Sequence, residues 1–131
     1  MPAISAYMGK QFLDWGLGGA SATQPAARWA GLAVGTPTST GGSEMGTLSG
    51  YSRLTALFGA ANSPAGTASI TAAMTFGPFS SVGSAIGVQL WDGSPVASSN
   101  MLWYGTFAAA KTFGINDTLV ITAGSLTVTL S

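Results

Sequence analysis

The chain has 131 residues, of which only 6% are charged, against ~25% in an ordinary soluble domain. Four Lys and Arg balance four Asp and Glu, leaving a formal net charge of zero, so no basic patch supplies the electrostatic term for a nucleic-acid backbone or an anionic membrane surface. There is no Cys and no His, which excludes disulfides, thiolate nucleophiles and imidazole chemistry.

At this length the chain reads as a single domain able to bury a real core. The first segment, Ala3 to Gly19, carries Ile4, Tyr7, Met8, Phe12 and Trp15 at helical spacing, with Gln11 completing the stripe. Gly16, Gly18 and Gly19 then offer the left-handed conformations that end a helix. The pattern predicts a short amphipathic helix from about Ala3 to Trp15, with 1–19 as N-terminal helix and Gly-rich hinge and 20–131 as a β-sandwich domain. This N-terminus does not read as a secretory signal, because Lys10 and Asp14 fall where the apolar stretch would be.

After the hinge the period changes. Ala27–Val34, Ser52–Gly59, Thr67–Gly77, Ser84–Asp92, Met101–Phe107, Thr118–Ala123 and Leu126–Ser131 each read as strands. In Ser84–Asp92, Ile86, Val88 and Leu90 alternate with Gly87, Gln89 and Trp91. In the last run, Leu126, Val128 and Leu130 alternate with Thr127 and Thr129. Gly, Pro, Ser and Asn punctuate the gaps. About seven strands with no second helical period predict an all-β fold, an antiparallel β-sandwich of jelly-roll-like character. Leu54 to Trp91 is uncharged but broken throughout by Ser, Thr, Gly, Asn and Pro, so it falls short of the roughly 18 continuous apolar residues of a membrane span.

The residues for chemistry are sparse. Asp14 lies in the predicted helix, Glu44 in a loop, and Asp92 and Asp117 in turns, with no spacing that argues for a paired-carboxylate site. No segment holds two acids close enough to build a calcium loop. The Gly-rich stretch Thr36–Leu54 has Gly41 and Gly46 at the phosphate-loop offset, but Thr47 stands where the lysine belongs, and Lys10 and Lys111 are far away. It reads as a long inter-strand loop. The expectation is a protein without catalytic residues, cofactor or metal. Trp91 and Trp103 fall on adjacent predicted strands, where a cross-strand aromatic pair would serve core, interface or a glycan platform.

Few charges and zero net charge are poor for colloidal solubility, so the composition predicts a homo-oligomer or a subunit of a larger assembly. Ile4, Tyr7, Met8, Phe12, Trp15, Trp91 and Trp103 are the candidate interface residues.

Several short motifs occur in a fixed order. Glu44, Ser49, Gly50, Tyr51, Ser52 and Arg53 form the first. Ile86, Gly87, Val88, Leu90 and Asp92 form the second, and Leu102, Trp103, Tyr104 and Gly105 the third. Lys111, Thr112 and Asp117 follow, with Asn116 where Gly is usual, then Ala123, Gly124, Leu126, Thr127 and Val128. This order resembles a family of small tailed-phage virion proteins commonly labelled tail fibre protein, some of which resemble capsid cement proteins. The resemblance implies a virion structural protein without enzymatic activity. Its leading form is a capsid decoration protein on the outer capsid surface, a homo-oligomer, expected as a trimer, bound to the major capsid protein. A tail fibre or adaptor is the alternative, and a carbohydrate-binding module a more distant one.

Overall fold

The computed structural model describes residues 3–22, 24–46, 50–63, 66–94 and 99–129. A five-stranded antiparallel sheet forms the main layer. Its strands are β1 (Ala3–Ile4), β2 (Trp29–Ala33), β3 (Leu54–Thr55), β6 (Gly83–Trp91) and β7 (Met101–Phe113), in the order β1-β7-β6-β2-β3. Two antiparallel ribbons make the opposing layer: β4 (Thr67–Ser69) with β9 (Thr127–Thr129), and β5 (Met74–Phe76) with β8 (Leu119–Ile121). The fold is an all-β antiparallel sandwich with one short helix.

Leu32, Val88 and Leu90 of the main sheet share one buried cluster with Ile70, Met74, Phe76, Leu119, Ile121 and Leu126 of the second layer. Each large apolar side chain so buried contributes about 1.5–3 kcal/mol. Phe79 and Phe113 close one end of the cluster, stacked with centroids 3.8 Å apart.

Besides the shortening of the expected strand Ser52–Gly59 to the two residues of β3, four departures from the sequence pattern stand out. The helix α1 spans Ala6–Leu17 rather than starting at Ala3. Ser5 sets the boundary: its Oγ accepts the Met8 N–H at 3.0 Å, while its own N–H donates to Leu102 O at 3.0 Å and so holds Ala3–Ile4 in the sheet as β1. Gly18, at φ 71°, ends the helix. Second, Thr67–Gly77 is two strands, because Ile70 bridges Phe58 and the Thr71 N–H turns to Leu57 O at 2.8 Å. Third, β7 continues to Phe113, six residues beyond the expected end. Fourth, the β6–β7 register slips between Ala85 and Gly87, whose partners are Lys111 and Thr106; the extra residues of this bulge are on β7, and across it Ala85 is buried while Ile86 is only half-buried.

The helix lies against β7 through Tyr7 and Met8, which pack on the core, and through Phe12, which meets Trp103 edge-on at 6.1 Å. A 12-residue helix is marginal alone in water, so this packing holds it. Gly9 sits in its interior, where it costs about 1 kcal/mol relative to Ala, Gly16 lies in its last turn, and among the described residues a Cβ at either would meet nothing within 4 Å. Among the described residues no helix is long and apolar enough to cross a membrane.

Candidate functional site

The long connection from β2 to β3 folds back on the main sheet. Residues 43–45 run beside the edge of β2 past the two residues that β3 pairs: Val34 N–H donates to Ser43 O at 2.7 Å and Met45 N–H to Leu32 O at 2.8 Å, with Ala33 and Glu44 bridged. Reaching that edge takes a tight reversal, and Gly41, Gly42 and Ser43 all have positive φ, of 102°, 87° and 60°. Leu32 N–H, left without a strand partner, donates to Tyr51 Oη at 2.9 Å.

Glu44 is the centre of a hydrogen-bonded cluster. Tyr51 Oη donates to its Oε1 at 2.8 Å. Arg53 donates from Nε to Oε1 at 2.7 Å and from Nη2 to Oε2 at 2.6 Å, the two-pronged geometry that a guanidinium makes with a carboxylate. Arg53 Nη1 reaches Gly93 O at 2.8 Å and also Ser99 Oγ, and the guanidinium lies 4.0 Å over the Trp91 ring. The Arg53 side chain is wholly shielded and that of Glu44 is 9% exposed. The cluster fits over Gly31 because that residue has no side chain: a Cβ there would stand 2.6 Å from both Glu44 Oε1 and Tyr51 Oη. Burial, then the hydrogen bond to Glu44 and its negative charge, push the Tyr51 hydroxyl well above the ordinary tyrosine value, so Tyr51 stays a neutral donor.

Both carboxylate oxygens of Glu44 therefore serve as acceptors within the fold. The other acids also have local partners. Asp14 pairs with Lys10, Asp92 accepts from Asn100 N and Nδ2 at 2.7 and 2.9 Å, and Asp117 accepts from Gly114 N at 2.7 Å. Among the described residues no three acidic side chains gather where they could hold a metal. Thr47, at the lysine position of the phosphate-loop pattern, lies outside the described residues.

The candidate interface residues divide. Ile4 pairs with Trp103 in the sheet, and Tyr7, Met8 and Phe12 turn toward the chain's own core. Trp15 stands 74% exposed. Trp91 and Trp103 are on adjacent strands, but the register slips between Leu90, opposite Trp103, and Trp91, opposite Met101, so the two indoles are not cross-strand partners and have different surroundings. Trp103 lines an apolar hollow of about 270 Å³ with Phe12, Arg28, Phe58, Leu90 and Val128. Trp91 lies beneath Arg53 and beside Gly41. They do not form one aromatic platform. The apolar stripe also omits Leu13 and Leu17, 62% and 80% exposed on the outer side of α1; their spacing from Gly9 was the available signal.

Glu44, Tyr51 and Arg53, one of the ordered motifs in the sequence, thus prove to be a single bonded unit that fixes a long loop to a sheet. The chain matches no curated protein. The profile of the podophage GP4 fiber I protein gp80 family matches residues 3–129, nearly its whole length. The chain therefore belongs to that family, and is a structural protein of the bacteriophage virion.

Proposed function

We propose that the chain is a non-enzymatic fibre subunit of a podophage virion, acting by self-association and by a sparsely charged surface. The family description carries this reading. The architecture supports it: every acid is engaged locally, and the buried Glu44–Arg53 pair ties a long loop to the main sheet. Contacts made by such a surface would be apolar and little affected by salt.

Capsid decoration is the second reading, favoured by the sparse charge, which would suit apolar seating on a major capsid protein at the outer capsid surface. Imaging of the virion at subunit resolution separates the two. A fibre subunit appears at the tail or neck with a copy number set by its rotational symmetry. Density repeated over the capsid lattice would overturn the fibre reading in favour of decoration. Enzymatic turnover of a glycan, ester or nucleotide by purified protein, abolished by Asp92→Asn or Asp117→Asn, would overturn the non-enzymatic reading.

A further inference from the structure

Among the described residues, the helix α1 has one face on the sandwich and one that no other element covers. Tyr7, Met8 and Phe12 face inward. At 100° per residue, Leu13 and Leu17 fall on the opposite side with Gly9 beside them, and Gly16 lies on the flank between them and Phe12. Leu13 and Leu17 are among the most exposed apolar side chains of the chain, and both glycines open onto empty space. Nothing among the described residues requires glycine at either position, since neither has a positive φ and a Cβ added at either would meet nothing within 4 Å.

We infer that this face packs against the same face of a second copy, with the two helices antiparallel about a two-fold axis near Leu13. The inference rests on the proposed self-association and gives it a surface. With the axis at Leu13, Leu17 of each copy lies against Gly9 of the other, a large side chain over a position with none. Charge selects the same arrangement. Lys10 and Asp14 flank the seam on one side, with side chains 69% and 21% exposed. A two-fold that reverses the helix direction keeps both charges on one flank, so Lys10 of each copy approaches Asp14 of the other. The intrachain pairs become a neutral four-charge cluster at the rim, with apolar contact at the centre, as in protein interfaces generally. The contact joins subunits in pairs, so a three-fold body would be linked to another body through it.

The absence of cysteine makes the test direct. Full-length Leu13→Cys carries one thiol at the proposed axis, and mild oxidation is expected to give a disulfide-linked dimer on non-reducing gels. Val120→Cys, on β8 at 51% exposure, should remain largely monomeric under the same conditions. In the Leu13→Cys background, Gly9→Leu is expected to suppress cross-linking by filling the notch. The same change should raise the thermal midpoint, because leucine is the better helix former. Lys10→Glu and Asp14→Lys should each cross-link poorly alone and efficiently when mixed, since the mixture restores both opposite-charge contacts. Cross-linking of Leu13→Cys no faster than Val120→Cys would overturn the proposal, as would equal cross-linking of the charge variants alone and mixed. If wild-type protein is oligomeric by light scattering while Leu13→Cys fails to cross-link, self-association stands and only this contact falls. A wild-type monomer at every soluble concentration, with no cross-link, removes both.

Discussion

Arg53 grips Glu44 with two hydrogen bonds, at 2.7 and 2.6 Å, from a side chain that solvent does not reach. A buried pair of this kind repays its desolvation only while both partners are present. We expect Arg53→Met alone to destabilise the fold by about 3–5 kcal/mol, because it strands the Glu44 carboxylate. Glu44→Leu combined with Arg53→Met should recover much of that loss. Urea denaturation of the two singles and the double gives the coupling. A single-variant cost below about 1 kcal/mol would mean that the pair behaves as an exposed one.

Tyr51 makes the same cluster sensitive to high pH. Its folded-state value is raised above the ordinary 10.0, so it contributes stability that is fully present below pH 10.0 and is lost as pH rises above that value. Wild-type protein should therefore weaken above pH 10.0 by a component that Tyr51→Phe lacks. At neutral pH the same variant should cost about 1–3 kcal/mol, since Leu32 N–H is left buried without its acceptor. Stability curves of the two proteins that run parallel through alkaline pH would sink this assignment.

Gly87 meets the backbone of β7 so closely that a Cβ would lie 2.4 Å from Gly105 O. Gly87→Ala should cost about 1–3 kcal/mol or more, because backbone cannot move aside as a flexible side chain does. Gly46→Ala, whose added Cβ would meet nothing within 4 Å among the described residues and whose φ is not positive, should stay within about 0.5 kcal/mol of wild type. Thermal denaturation of both checks the contrast, and similar losses would contradict it.

How far the sequence could be read depended on whether each signal was local. The alternation Leu126, Val128 and Thr127, Thr129 marks β9 because one side of that strand faces the core. The sandwich class followed from many such short runs. Residues 108–111 of β7, Ala-Ala-Ala-Lys, are exposed and carry no alternation, so nothing in them announced a strand; they fall where the β6–β7 register slips, and of the four it is Lys111 that has a β6 partner, Ala85. Gln89 occupies the polar side of the β6 pattern yet is fully buried, because Gly42 O arrives to accept from its Nε2 at 2.7 Å. The folding back of the Gly-rich loop is a tertiary event with no sequence period. For the same reason Glu44, Tyr51 and Arg53 were visible as a motif but not as a bonded cluster.

The helix is open to a direct test, because its apolar residues were read as one stripe and as candidate interface residues. Phe12 and Trp15 are three positions apart, but only Phe12 reaches an aromatic partner, the Trp103 ring at 6.1 Å with planes at 65°. Phe12 is half-buried, so Phe12→Ala should cost about 2 kcal/mol, below the roughly 3–5 typical of a fully buried Phe. Trp15 is 74% exposed, and Trp15→Ala should change the stability of the free protein by no more than about 0.5 kcal/mol. Trp103→Leu should lower stability and also shrink the further cost of Phe12→Ala, since the two rings are in contact and their effects cannot add. Urea denaturation at a protein concentration low enough to dissociate any oligomer measures all three. A Trp15→Ala loss equal to that of Phe12→Ala would show that the indole is covered in the free chain, and that α1 lies on the sandwich by a different face.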